Sequence, residues 1–156
     1  AAEEIKAASH KATLTPTSLE RLEPVRKQAF AGRRLFGAWD TGYLQFAQQE
    51  NAFYGGETLE FSCQGRTGYA VCQIREKDTL LVRELVVDPQ DVDTLLAALH
   101  QRFGAKGYQL RLPVDFPGQP SGKDTPFAMI KWYDQSHSQS TSGEPGGAPW
   151  FAFGLD

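Results

Sequence analysis

The stretch GYAVCQIREKDTLLVRELVVDP, from Gly68 to Pro89, decides the fold. It holds two strand-like runs, residues 67–75 and 79–87, joined by a polar turn at Glu76, Lys77 and Asp78. Val82, Leu85, Val86 and Val87 make the end of the second run strongly apolar, as expected of a strand covered on both faces. A helix is predicted to follow at once. Asp88 is the expected N-cap, Pro89 takes the first helical position and Asp91 sits at N3. Val92, Leu95, Leu96, Leu99 and Phe103 repeat at helical spacing, and Gly104 is a natural stop. Residues 108–113 read as the next strand, so residues 79–113 predict a β-α-β crossover unit.

Upstream, residues 57–64 and 67–75 flank Gly65-Arg66, which reads as a two-residue hairpin turn. Residues 11–15 predict a short first strand. Thr17-Ser18-Leu19-Glu20 has capping-box spacing and opens a helix that carries Leu19, Leu22, Val25 and Phe30. Pro24 is expected to kink or restart it. A second helix is expected from Asp40, with Tyr43, Leu44, Phe46 and Ala47 as its apolar face. Downstream, residues 115–124 form a Pro/Gly-rich loop, and residues 127–133 and 150–155 predict a sixth and a seventh strand. The polar residues 134–149 between them read as a flexible loop.

Composition bounds the function. The chain has 156 residues, 40% of them hydrophobic and 22% charged, which suits one globular domain. Residues 1–11 are rich in Ala, Glu and Lys and begin without Met, so they are expected to be a linker or the end of an upstream segment; the domain proper is residues 12–156. Sixteen basic residues face nineteen acidic ones, for a net charge of -3. No basic stripe is visible, so nucleic acid is not an expected partner. No apolar run reaches the ~18 residues that a membrane helix needs. The start lacks signal-peptide character, and a cytoplasmic location is expected. Two cysteines and three scattered histidines offer no metal site.

With these residues in order, the chain resembles the GNAT superfamily of N-acetyltransferases. Residues 68–89 and the amphipathic helix after them look like that family's third and fourth strands leading into its cofactor-side helix. PFAMIKW (126–132) and WFAFGLD (150–156) look like its closing strand pair. The closest likeness is to the C-terminal GNAT-like half of tandem two-domain bacterial acetyltransferases. The implied fold class is α/β (α+β): a central mixed, mostly antiparallel sheet of six to seven strands with helices on both faces. The implied partners are an upstream GNAT domain or a second subunit, or a homo-oligomer.

The resemblance implies acetyl-CoA as the family's cofactor, but the family's glycine loop is missing. Where Gln/Arg-x-x-Gly-x-Gly/Ala would wrap the pyrophosphate, this chain has Asp88-Pro89-Gln90-Asp91-Val92-Asp93-Thr94. It has no glycine for close backbone approach and no arginine for phosphate. One like-charge pair at ~5.5 Å costs roughly 3 kcal/mol at an effective dielectric of ~20. The helix start is therefore expected to cap itself and repel CoA. The expected function is a structural, substrate-cleft or interface role for a domain with a degenerate acyl-CoA site. The alternatives are an active acetyl-CoA-dependent N-acetyltransferase with an atypical cofactor loop, and a non-catalytic small-ligand or peptide-binding module.

Three candidate site residues come with the resemblance. Glu84, on the fourth strand, stands where many family members place the general base for the acceptor amine; a carboxylate among apolar side chains suits that role. The competing reading pairs it with Arg83 or with a basic residue of a neighbouring strand. Backbone groups near Leu85 and Val87 would meet a pantetheine arm, against an alternative of ordinary sheet pairing. The family's general-acid tyrosine has no counterpart, and Tyr108 and Tyr133 are expected to pack. His100 lies near a helix C-terminus, where partial positive charge is favoured. If Gly65-Arg66 is the turn, Cys63 faces Gly68 and Cys72 lies ~13 Å further along. A disulfide needs Cα atoms within ~7 Å, so two free, buried thiols are expected.

Overall fold

The computed structural model describes residues 11–33, 37 and 39–118. The expected strands at 127–133 and 150–155 and the loop at 134–149 lie outside the described residues. The chain runs β1 (Ala12–Pro16), α1 (Leu19–Phe30), α2 (Thr41–Phe53), β2 (Glu57–Cys63), β3 (Arg66–Arg75), β4 (Thr79–Val86), α3 (Val92–Phe103) and β5 (Gly107–Leu110). Among the described residues the strands form one five-stranded sheet in the order β1-β2-β3-β4-β5. The first three pairings are antiparallel and β4–β5 is parallel. The expected crossover unit is thus present as β4-α3-β5, within a mixed α+β architecture.

The alternation of β3 builds two cores. Tyr69 and Val71 point to one face and meet Leu19 and Leu22 of α1 and Leu44 and Ala47 of α2. Ala70 and Cys72 point to the other face, where Leu59, Phe61, Leu80 and Val82 pack with Leu95 and Leu99 of α3. A strand buried on both faces must be apolar throughout, which is why residues 69–72 carry no charge. α3 follows its predicted stripe and ends at Gly104 in the left-handed conformation, φ 59°.

Several local expectations shift. The hairpin turn is Gln64-Gly65, because Cys63 pairs with Arg66 and both turn residues have positive φ, 49° and 77°. That is the backbone sign a type I′ two-residue hairpin requires at both positions. Gln64 hid it, since Asn, Asp or Gly is the usual residue there. The N-cap of α1 is Ser18, whose hydroxyl accepts from the Arg21 N–H at 3.3 Å, and not Thr17. Pro24 sits inside α1 without ending it. β5 stops at Leu110 rather than Pro113, although the Arg111 N–H still donates to the Val82 carbonyl at 3.1 Å.

The feature that positions the site is a bulge in β4. Val71 faces Glu84 while Cys72 faces Val82, so Arg83 is an extra residue. Leu80 and Val82 lie on the α3 side, and so does Leu85, three residues on instead of two. Arg83 and Glu84 therefore both reach toward the α1/α2 side, Arg83 to Glu50 and Glu84 to Arg26.

Gly68 fixes the approach of β3 to the end of β4. A Cβ there would press into the Val86 carbonyl oxygen, which belongs to the backbone and has little room to give. Gly68→Ala is expected to cost about 1–3 kcal/mol of stability as overpacking between strands. Gly32→Ala, where nothing lies within 4 Å, is the control and should stay within about 0.5 kcal/mol of the parent. Urea denaturation of the two variants checks this; equal stabilities would contradict it.

Candidate functional site

Glu84 is fully buried, at 0% exposure, and so is Tyr69; Arg26 is 4% exposed. The Arg26 guanidinium donates from Nε to Glu84 Oε1 at 2.9 Å and from Nη2 to Oε2 at 3.2 Å. Its Nη1 donates to the Gly37 carbonyl, and the Tyr69 hydroxyl donates to Glu84 Oε1. Both carboxylate oxygens thus carry donors, and charge is balanced within the cluster. Such pairing is what allows two charges to lie in a protein interior. Burial pushes the Tyr69 phenol well above its ordinary range, and the neighbouring Glu84 charge adds to this.

The basic partner of Glu84 is therefore an arginine of α1, not Arg83 and not a basic residue of a neighbouring strand. The other two expected site residues lie elsewhere. The Leu85 side chain is 3% exposed and packs in the α3-side core. Val87 is partly buried and lines a separate cleft. The structure sets the Glu84 side chain on the α1/α2 face, apart from those of Leu85 and Val87, which both lie on the α3 side.

That cleft, of about 350 Å³, lies where the β2–β3 hairpin meets the end of β4. Phe61, Arg66, Gly68, Val86, Val87 and Asp88 line it, with Asp91 beside them. A 3-10 turn, Pro89–Asp91, precedes α3. Asp88 caps this turn, its Oδ1 accepting from the Gln90 N–H at 3.1 Å, while the α-helix expected from Pro89 begins at Val92 with Asp91 as its N-cap. Asp91 behaves differently from expectation. It is 2% exposed and makes no side-chain cap bond. Arg66 grips both its oxygens, Nε to Oδ2 at 2.6 Å and Nη2 to Oδ1 at 2.7 Å. Arg66 thus offsets one of the three aspartate charges at this helix start. Sequence reading missed it by placing Arg66 in the turn instead of at the start of β3.

The remaining candidates stay structural. Cys63 and Cys72 are free and buried. In the observed register Cys72 lies six residues beyond the partner of Cys63, or ~20 Å along the strand, further than a disulfide can span. His100 Nδ1 and the Tyr108 hydroxyl are hydrogen bonded at 2.7 Å, which ties α3 to β5. Among the described residues no group of three metal-ligating side chains occurs. No helix among them is long and apolar enough to cross a membrane.

No protein-family model matches this chain, and no curated protein or solved structure matches it either.

Two buried acids give the fold a pH signature. Burial, with Glu57's charge adding, pushes the Cys72 thiol from its ordinary 9.0 up to about 12. Tyr69 is raised from 10.0. Both groups hold their protons more tightly folded than unfolded, so their contributions are complete below pH 9. Above pH 9 the unfolded chain releases protons that the fold keeps, and stability is expected to fall toward pH 12. Each group contributes at most ~1.4 kcal/mol per pH unit. Cys72→Ala should remove the part of the decline that starts near pH 9, as read by urea denaturation across this range. A slope identical to the parent's would contradict the assignment.

Proposed function

We propose that this chain is a GNAT-like domain whose acyl-CoA end is closed by its own side chains, and that its role is structural. It would complete the substrate cleft of a partner domain or form an interface, with acetyl-CoA not bound. The order of the described elements supports the likeness: strand, two helices, three antiparallel strands, helix, parallel strand.

One observation carries the reading of a closed site. At the start of α3, Asp88 already occupies the Gln90 N–H, and Asp91 is held by Arg66. A pyrophosphate would need that N–H and that cation for itself. It would also meet the charges of Asp88 and Asp93. The Glu84 cluster is consistent with this. To act as a base for an incoming amine, Glu84 would first have to give up Arg26 and Tyr69, in a site with no exposed carboxylate oxygen.

Isothermal titration with acetyl-CoA tests the proposal. No binding tighter than ~100 µM, about -5.5 kcal/mol, is expected. A dissociation constant below that value would overturn the closed-site reading and favour an active acetyl-CoA-dependent enzyme with an atypical cofactor loop.

A further inference from the structure

The groups that surround the Arg26 guanidinium come mostly from elements other than its own helix. Glu84 is contributed by β4, Tyr69 by β3 and the Gly37 carbonyl by the connection between α1 and α2. Only Phe30 shares α1 with Arg26, and the guanidinium lies 5.4 Å from the centroid of its ring. The arrangement has every part of a receptor for a planar monocation. A carboxylate accepts two N–H bonds side by side, a carbonyl accepts a third, and an aromatic face covers the cation. Tyr69 fixes the carboxylate from behind by donating to Oε1.

We infer that β3, β4 and Gly37 form a guanidinium-binding site that Arg26 fills from within, as a tethered plug that shuts Glu84 against external cations. The site's ligand class is a small planar guanidinium, such as methylguanidinium or the end group of an arginine-like compound. A buried carboxylate requires a counter-cation. Truncating Arg26 removes that cation and leaves space of its own shape, while the Glu84 carboxylate stays on the sheet and the Gly37 carbonyl in the α1–α2 connection. An ammonium ion matches this space less well, because it cannot form the parallel pair of bonds to a carboxylate. The inference concerns the interior of the α1 side and does not depend on whether CoA binds at the start of α3.

Chemical rescue tests it. Arg26→Ala is melted with increasing methylguanidinium, with methylammonium at equal ionic strength as the control. The expected result is a saturable rise in Tm for the variant, roughly 5 °C at ten times a millimolar-range Kd. The parent protein and the double variant Arg26→Ala/Glu84→Gln should show no such rise. Equal responses in parent and variant, no response in the variant, or rescue that survives loss of the Glu84 charge would each overturn the inference. If Arg26→Ala does not fold, the parent protein provides the readout by nitrogen-edited NMR. A caged guanidinium gives a slowly exchanging Arg26 Nε–H and separate Nη signals. A rapidly exchanging, averaged Arg26 signal would overturn the inference.

Discussion

The ion pair between Arg26 and Glu84 is the constraint on which the α1 side of this molecule depends. A carboxylate at 0% exposure and a guanidinium at 4% are tolerable only together. Their partnership dictates where α1 lies, because Arg26 must reach a fixed point on β4. It also explains the bulge. Without the bulge, strict alternation from Leu80 and Val82 would send Glu84 toward the apolar α3 side, where Leu95 and Leu99 offer it no donor. The bulge turns a charge that would be ruinous in one core into a satisfied member of the other. Tyr69 completes the arrangement from β3, so helix and two strands are joined through one carboxylate.

A second buried carboxylate lies just beyond the C-terminal end of β4. Asp91 faces inward at the start of α3 and finds Arg66 at the first residue of β3. The Gln64-Gly65 turn delivers that arginine, and Gly68 lets the hairpin close against Val86. The two buried carboxylates thus follow one rule: each is met by an arginine from a distant part of the chain. The first pair fixes a helix on the sheet. The second ties the start of α3 to the β2–β3 hairpin.

Much of the fold was legible because its signals are local. The strand-like run at residues 67–75 marks β3, the Leu95/Leu99 stripe and Gly104 mark α3, and Asp40 marks the start of α2. Errors arose where the deciding contact is not local. Gln64 carries a turn for which the chain gives no strong residue signal. Arg26 and Glu84 are 58 residues apart, and neither announces the other. A signal was nonetheless present. Leu19, Leu22, Arg26 and Phe30 fall at helical spacing, so Arg26 stands on the buried face of α1. Asp91, Leu95 and Leu99 likewise share one face of the turn and helix that follow β4. A charge inside an apolar stripe demands a buried partner, and an opposite charge inside an apolar strand is where to look for it. The bulge at Arg83 had no such signature, since it depends on register with β3.

The central claim is that the Arg26–Glu84 pair acts as one unit, and a double-mutant cycle measures this most directly. Arg26→Met, Glu84→Leu and the double variant are compared with the parent by urea denaturation. Each single change leaves one buried charge alone and is predicted to cost about 3–5 kcal/mol. The double change removes both charges, and its loss should be smaller than the sum of the singles by at least ~2 kcal/mol. Additive losses, within about 0.5 kcal/mol, would contradict the account.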